Sequence, residues 1–474
     1  MYPKKLEAVV RSDPDFPIVN LKYGRLRGIL TDEVYIFRGI PYAKAGRFCP
    51  PQEPESWEGV RNARAYGAAC AEVHADSSKD DFRNPRYAYP QSEDCHFLNI
   101  WTKTLEADAK LPVIVWIGGR GFDCGSATDD FAAEGENLAR LKDVVVVSVN
   151  HRIGALGYMD LSSYGEPYWA AGNPGTMDLI AGLKWIQENI LQFGGDPNRV
   201  TLIGQKGGAA KIQALLQTPA ADGLYDRVCM IAPEGSREAA DAGMGENPPG
   251  ACFDRTPEEA KQCTELVLEQ LKLTASTVRE IEHVPFYRLA WAVSKAEERY
   301  REAFGKTLVW GPVADGGYYL GNGLVKGFRK EASHIPVMTD SLALSEALAA
   351  NGNPVYYWEF SLKLPACKDT APWPGAETPF LFHNASYMEN TFIPEVTDSL
   401  ENMMAGAMAA FADVGDPNHT GMPRWVPFVK NRLAGMCFDR TSGMVCAGET
   451  PASASLHDAR EAAGAGKGGG NLCI

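Results

Sequence analysis

A short stretch of the sequence has the spacing of a turn that presents a reactive side chain: Gly204-Gln205-Lys206-Gly207-Gly208. It follows an apolar run at 200–203 and precedes a segment at 209–216 with the composition of a helix. In the strand–turn–helix form Gly-x-Ser-x-Gly, the central side chain projects from a tight turn over the carboxyl end of the sheet. Lys206 stands where that serine would be, so the sequence keeps the frame of a nucleophile turn and lacks its hydroxyl group.

Further blocks of sequence occur in order on both sides of this turn. They are Phe-Arg-Gly-Ile-Pro-Tyr-Ala at 37–43, Ser-Glu-Asp-Cys-His-Phe-Leu-Asn-Ile-Trp at 92–101, Asn-His-Arg-Ile-Gly-Ala-Leu-Gly-Tyr at 150–158, Gly-Asn-Pro-Gly-Thr-Met-Asp at 172–178 and Phe-Gly-Gly-Asp-Pro-Asn-Arg-Val-Thr at 193–201. Together they resemble the type-B carboxylesterase and cholinesterase family of α/β-hydrolases. The resemblance extends from about Gly24 to Phe438 and is densest up to about Arg227. It implies one α/β-hydrolase domain, which we place at residues 18–446.

The apolar pattern predicts an α/β fold with a mostly parallel, doubly wound sheet. Near-continuous β-branched runs at 111–117 and 144–149 are typical of strands buried on both faces. Residues 18–40 alternate as an N-terminal antiparallel hairpin at the sheet edge. A helix predicted at 179–191 leads into the strand before the turn, which is the order that such a sheet requires.

In the second half of the chain, the segments that correspond to the cap and gorge of the family are shorter. Polar helical segments at 257–301 resemble the helical cap of the family. Only residues 339–353 separate two later strands, where the family has a long helical insert, so part of the cap and gorge region is predicted to be shortened. Residues 447–474 are rich in Ala, Gly and Ser and are predicted to form a mobile tail.

The resemblance implies a catalytic triad, and this chain departs from it at each position. Ester hydrolysis needs a serine to attack the carbonyl, a histidine to carry its proton and a carboxylate to orient the histidine. The matching positions are Lys206, Pro374 and Ser345, with Glu346 as a carboxylate one residue out of register. No intact catalytic residue is therefore predicted.

The oxyanion loop of the family is altered as well. A His-Gly-Gly-Gly-Phe-like run is expected, and this chain has Gly118-Gly119-Arg120-Gly121-Phe122. Amides of Gly119, Arg120 and Gly121, together with that of Gly207, are the candidates for binding an oxyanion or a ligand. The side chain of Arg120 adds a Cβ where we expect the backbone to need a glycine conformation.

Three interpretations of Lys206 remain open from the sequence. The preferred one is a relic whose long side chain extends into solvent. The second is a repurposed enzyme in which Lys206 acts as a base or Schiff-base nucleophile, with Glu346 as a partner. In the third, Arg120 and Lys206 form a site for a small anionic ligand such as a carboxylate or phosphate. His151 and His383 are interpreted as structural.

The resulting functional prediction is a carboxylesterase-family protein that has lost serine-esterase activity and keeps the scaffold. The alternatives are an active carboxylic-ester hydrolase and the repurposed enzyme. No Cys or His grouping has metal-ligand spacing, and no cofactor is expected. A protein partner cannot be named from the sequence.

Scaffold contacts are implied by the same resemblance. It pairs Arg38 with Glu93 and Arg152 with Asp178 as structural ion pairs. Cys70 and Cys95 stand at positions where secreted members of the family form a disulfide. The spacing of Cys252 and Cys263 is similar to that of another disulfide in those members. The count of eleven cysteines favours reduced thiols instead.

Charge and hydropathy exclude some classes of partner. The net charge of −14 disfavours binding to nucleic acid or to an anionic membrane. No apolar run approaches the length of a spanning helix, and the first residues lack the apolar core of a signal peptide. From the sequence we expect a cytoplasmic protein.

Overall fold

The computed structural model describes residues 10–11, 13, 15–73, 87–233, 254–305, 308–367, 371–430 and 434–446. The predicted tail at 447–474 and Cys252 lie outside the described residues.

The described strands are β1 Val10–Arg11, β2 Ile18–Leu21, β3 Gly24–Arg27, β4 Ile29–Thr31, β5 Val34–Pro41, β6 Val60–Asn62, β7 Ala69–Cys70, β8 Gln91–Ser92, β9 Phe97–Thr102, β10 Leu111–Ile117, β11 Val145–Val149, β12 Gly195–Gln205, β13 Arg227–Ile231, β14 Val337–Thr339, β15 Val355–Phe360, β16 Ala434–Phe438 and β17 Gly443–Cys446. The described α-helices are α1 Glu136–Leu141, α2 Gly154–Tyr158, α3 Pro174–Asn189, α4 Gly207–Leu216, α5 Pro257–Leu271, α6 Phe286–Phe304, α7 Gly323–Lys326, α8 Leu342–Asn351, α9 Thr378–Leu381 and α10 Thr397–Val414.

The main sheet has twelve strands in the order β1-β4-β5-β9-β11-β10-β12-β13-β14-β15-β16-β17. All pairs from β11 to β16 are parallel. Antiparallel strands complete both edges. The predicted α/β-hydrolase sheet is thus confirmed. The hairpin of β2 and β3 joins β6 in a separate three-stranded sheet, so the edge of the main sheet is formed by β1, β4 and β5 instead.

Apolar cores lie on both faces of the main sheet. Residues of α3, α4 and α8 contribute to one core cluster, and residues of α1 and α10 contribute to the other. A third cluster joins α5 and α6 to the region of α2, which gives the predicted helical cap. Only α8 links β14 to β15, so the connection is as short as the sequence predicts.

The cap begins with a well-defined helix start. The side chain of Thr256 accepts the amide proton of Glu259 at 3.2 Å, and the Glu259 carboxylate accepts that of Thr256 at 3.0 Å. Pro257 follows at the first helical position, where its missing N–H has no intrahelical partner to lose. This reciprocal capping box satisfies two amides that the first turn would otherwise leave unpaired.

A buried ion pair fixes α3 to the end of β11. Arg152 donates to both carboxylate oxygens of Asp178, at 2.8 and 2.7 Å, and its backbone amide donates as well, at 3.0 Å. Burial opposes ionisation of Asp178, yet the charges of Arg152 and His96 hold its pKa well below its ordinary value. The expected Arg152–Asp178 pair is therefore present.

The other expected pair, Arg38 with Glu93, is wrong. Arg38 lies within β5, and its guanidinium group is 2.9 Å from the carboxylate of Glu134, which precedes α1. Glu93 instead accepts a hydrogen bond from Nε of Arg47, at 2.7 Å from its carboxylate oxygen. Arg47 lies in the segment after β5, and its side chain reaches Glu93 in the segment after β8. Arg47 also donates to the carbonyls of Ile281 and Val284 in the cap, both at 2.7 Å.

The thiols of Cys70 and Cys95 are buried and free. A hydrogen bond to Cys70, together with burial, raises the pKa of Cys95 well above its ordinary value. The two cysteines are thus neighbours, as the resemblance implies, and they are reduced. In the part of the chain that the structure describes, no helix has the length and apolar character needed to cross a membrane.

Replacement of Asp178 by alanine should lower the free energy of unfolding by about 3 to 5 kcal/mol, because Arg152 would keep a buried charge without its partner. The exposed pair Lys295–Glu298 supplies a control, since Lys295→Ala should cost less than about 1 kcal/mol. Urea unfolding measures both variants. Equal, small losses would contradict the structural role given to the buried pair.

Candidate functional site

The turn predicted at Lys206 is present and has a constrained backbone. β12 runs up to Gln205, Lys206 has φ 50° and ψ −112°, and α4 begins at the next residue. The Lys206 amide donates to the carbonyl of Ile231 at 2.9 Å, and its carbonyl accepts the amide proton of Ala210 at 3.0 Å. A residue other than glycine in such a region costs about 1 to 3 kcal/mol, which the surrounding structure must offset.

Glycines allow the helix after the turn to approach the strands. A Cβ added at Gly208 would lie 2.0 Å from the carbonyl oxygen of Ile117 at the end of β10. A Cβ at Gly204 would lie 2.5 Å from the carbonyl carbon of Gly208. Both contacts are with backbone atoms, so no side-chain movement could relieve them. The glycines at these two positions are therefore required by the packing of α4 on the sheet.

The side chain of Lys206 is buried, with only 7% of its surface exposed. The preferred interpretation from the sequence, a relic that extends into solvent, is therefore wrong. The reason is that two segments lie against the turn. The loop after β10 contacts Gly207, and the carbonyl of Pro374 lies 3.4 Å from Nε2 of Gln205.

The loop after β10 has the course of an oxyanion loop. Its positive φ angles fall on Gly119, at 102°, and on Gly121, at 56°. Arg120 between them is joined to Cys124, whose carbonyl accepts its amide proton at 2.8 Å. The expected backbone conflict at Arg120 is therefore wrong, because the left-handed positions belong to its glycine neighbours.

This loop packs directly on the turn. A Cβ added at Gly207 would lie 2.2 Å from the amide nitrogen and 2.3 Å from the carbonyl oxygen of Gly121. The loop of Gly119, Arg120 and Gly121 thus lies beside Gly207, and the role of these residues in binding an oxyanion or a ligand stays a prediction.

A second lysine, which sequence reasoning missed, lies behind the loop. Lys211 is 1% exposed, and its Nζ donates to the carbonyl of Gly118 at 2.9 Å. The same Nζ lies 5.9 Å from the centre of the Phe122 ring. Its signal in the sequence was a single charge within the otherwise uncharged helix α4. Lys211 therefore fixes the start of the loop to α4.

The predicted acid position does not reach the turn. Ser345 is buried in α8 and donates from Oγ to the carbonyl of Ser341 at 2.9 Å. Glu346, the proposed out-of-register carboxylate, is exposed on the same helix. Its role as a partner of Lys206 is therefore wrong, since a helical residue after Ser345 faces solvent rather than the sheet edge.

A carboxylate that sequence reasoning missed, Asp340, lies directly after β14 and is linked to the turn through the backbone. The amide of Ala232 donates to it, at 2.8 and 2.9 Å from its two oxygens. The carbonyl of the same peptide unit, that of Ile231, accepts the amide proton of Lys206. One peptide unit thus links the turn to Asp340. The available signal was an acidic residue at the carboxyl end of a strand that lies near β12 in a parallel sheet.

Glu377 is the second carboxyl group that the sequence analysis missed. It is 3% exposed and comes just after the histidine position, Pro374. Burial raises the pKa of Glu377, while a hydrogen bond with Asp340 and the positive charge of Lys206 act in the opposite direction. Lys206, Asp340 and Glu377 therefore form one group, which we call the elbow cluster.

The two histidines considered from the sequence have other surroundings. Burial first, and then the charge of Lys211, hold the pKa of His151 well below its ordinary value. His383 lies 3.1 Å from Asn402 through Nε2 and 3.3 Å from Glu401 through Nδ1, both on α10. These contacts agree with their structural interpretation. Among the described residues, no group of three or more His, Cys, Asp or Glu side chains could hold a metal ion.

Comparison with known proteins identifies the scaffold. The model of the carboxylesterase family matches residues 15–339 and 322–447. The chain belongs to the carboxylesterase family. The resemblance inferred from the sequence is thereby confirmed.

Individual members of the family resemble the chain over most of its length. It is 30% identical to para-nitrobenzyl esterase of Bacillus subtilis, a similarity that covers 85% of this chain and 90% of that protein. It is 29% identical to human carboxylesterase 3, with 87% and 85% covered. A solved structure of an esterase from Clostridium hathewayi, which can hydrolyse aliphatic aromatic polyesters, superposes with a TM-score of 0.83 at 34% identity. That match covers 93% of this chain and 97% of the other.

Replacement of Gly207 by alanine should lower the free energy of unfolding by about 1 to 3 kcal/mol, because the new methyl group meets backbone atoms of Gly121. Gly443 is the matched control, since a Cβ there meets nothing within 4 Å. The substitution Gly443→Ala should change stability by less than about 0.5 kcal/mol. Thermal or urea unfolding distinguishes the two, and equal stability of both variants would show that the loop does not pack on the turn as described.

Proposed function

We propose that this carboxylesterase-family protein does not carry out serine-esterase chemistry and that it uses the retained scaffold around a different polar centre. The observation that carries the proposal is Lys206 itself. It occupies the strained turn between β12 and α4, where a nucleophilic serine would stand. The fold positions the side chain as a nucleophile is positioned, and the side chain is an amine.

The histidine and acid positions support the same conclusion. Pro374 offers a carbonyl to Gln205 and has no group that could carry a proton. Ser345 is held within α8. In a serine hydrolase, loss of the serine or the histidine alone costs about a millionfold in rate. Loss of both leaves only what the loop amides and substrate binding contribute, on the order of a thousandfold over water.

Carboxylic-ester hydrolysis by another route is the second candidate. It is favoured by the names of the relatives, which are esterases, and by the loop of Gly119, Arg120 and Gly121, which still lies beside the turn. In that case Lys206 or a water molecule would have to replace the serine hydroxyl. The two candidates differ in whether ester turnover exists and whether it depends on Lys206.

A small anionic ligand is the class of partner that we propose for this end of the sheet. Burial raises the pKa of Cys124 in the loop to about 11, and around it Arg120 and Lys211 contribute positive charge while Glu72 and Asp123 contribute negative charge. The buried Lys206 lies against the same loop through Gly207. Together with the loop amides, these cations would favour a carboxylate over a neutral molecule.

The purified protein should hydrolyse p-nitrophenyl acetate no faster than a Lys206→Ala variant, and a fluorophosphonate probe should not label it. The para-nitrobenzyl esterase of Bacillus subtilis serves as the positive control. The variant Lys206→Ser should remain inactive as well, because Pro374 supplies no base to the new hydroxyl group. Ester turnover that disappears in Lys206→Ala would refute the proposal and establish Lys206 as part of an esterase.

A further inference from the structure

The elbow cluster is fixed by backbone contacts at the ends of three neighbouring strands. The peptide unit between Ile231 and Ala232 accepts the Lys206 amide proton on one side and donates to the Asp340 carboxylate on the other. Glu377 reaches the same place from the segment before α9 and shares a hydrogen bond with Asp340. Only 7% of Lys206 and 3% of Glu377 is exposed. An amine and two carboxyl groups thus interact where little water is present.

The hydrogen bond between Asp340 and Glu377 determines the charge of the cluster. Two carboxyl groups can share a hydrogen bond only if one of them keeps its proton. The amide of Ala232 donates to Asp340, whereas the hydrogen bond with Asp340 and the charge of Lys206 favour the ionised form of Glu377 against its burial. The two carboxyl groups therefore share one proton. The carboxyl pair has one negative charge, which balances the ammonium group of Lys206.

The backbone adds a second reason to regard this cluster as more than a packing feature. Lys206 keeps φ 50° and ψ −112°, a conformation that costs free energy for any residue with a side chain. The turn places Lys206 at the carboxyl end of β12, next to Gly207, which packs on the loop residues Arg120 and Gly121. A strained amine next to a proton donor is an arrangement suited to covalent catalysis.

We propose that Lys206 is an amine nucleophile that forms an imine with small 2-oxo acids, with the Asp340–Glu377 carboxyl pair donating and accepting the protons. The proposal rests on the proposed function, since it assigns the chemistry of the site after the loss of the serine mechanism. The 2-oxo acids are favoured among carbonyl compounds because their carboxylate would meet the cation Arg120 and the loop amides.

The reaction balances without any further reactant. Lys206 gives one proton to the ionised member of the Asp340–Glu377 pair, and its nitrogen forms a bond to the carbonyl carbon. The carbonyl oxygen takes a proton from the pair, and the second proton of the nitrogen passes to the pair, which yields a neutral carbinolamine. A proton held by the pair then passes to the hydroxyl group, the nitrogen lone pair forms the carbon–nitrogen double bond, the carbon–oxygen bond breaks and water leaves. Of the three ammonium protons, one stays on the nitrogen and two leave in water, so an ammonium group and a ketone have become an iminium ion and water, and the pair again holds a single proton.

The test is reductive trapping of the imine on the folded full-length chain. The protein is incubated with glyoxylate or pyruvate and borohydride at neutral pH, and the modified lysines are mapped by mass spectrometry. The Lys206 peptide should be labelled at least about tenfold more than peptides of exposed lysines such as Lys295, which have no neighbouring carboxyl pair to move protons during imine formation. Lys211 is the internal control for a lysine that is completely buried and bound to a carbonyl.

The role of the carboxyl groups has its own measurement. Glu377→Gln should slow trapping at Lys206 by about a hundredfold, because it removes one member of the carboxyl pair, and positioned acid–base catalysis typically contributes at least that much. Asp340→Asn should slow it as well, whereas Glu346→Gln on the exposed face of α8 should leave it unchanged. Circular dichroism establishes that each variant is folded.

Labelling of Lys206 no greater than that of Lys295 in the wild-type protein would overturn the proposal, and that comparison needs no variant. Fast trapping that is unchanged in folded Glu377→Gln would overturn the role of the carboxyl pair. The two proposals fail separately. Ester turnover refutes the loss of esterase chemistry, whereas absence of trapping without ester turnover refutes only the imine.

Discussion

The close approach of α4 to the strands beneath it is the constraint on which the site depends. Gly208 lies so near the carbonyl of Ile117 that no side chain fits, and Gly204 lies equally near Gly208. This approach forces the chain through a turn of one residue at Lys206. The geometry that makes a serine reactive in a nucleophile turn is thus maintained by backbone packing and does not depend on which residue stands at its centre.

A lysine buried at this position requires an opposite charge close to it. An ammonium group in an environment poor in water needs an opposite charge, since an unpaired buried charge costs several kcal/mol. The opposite charge comes from carboxyl groups near the carboxyl ends of β13 and β14. The Ile231–Ala232 peptide unit holds Asp340 beside the turn, and Glu377 completes the group. A scaffold of the kind that orients a hydroxyl and an imidazole in serine hydrolases can therefore also hold an amine with two carboxyl groups.

Most of the fold, and the turn itself, could be predicted from the sequence because short sequence patterns determine them. Apolar β-branched runs indicate buried parallel strands, and the glycine spacing indicates the turn. The ion pair of Arg38 was not predictable, because the face of β5 on which a side chain lies depends on the register of the whole sheet. Asp340 and Glu377 were missed because their partnership exists only after distant segments meet.

The most direct test of this account is a double-mutant cycle of stability on Lys206→Met and Asp340→Asn. Each single substitution should leave the opposite charge buried and unbalanced, so each should be destabilising. The double variant removes both charges. We expect it to be more stable than the sum of the single effects by at least about 1 kcal/mol, as measured by urea unfolding. Effects that add to within about 0.5 kcal/mol would contradict the charge-balanced cluster.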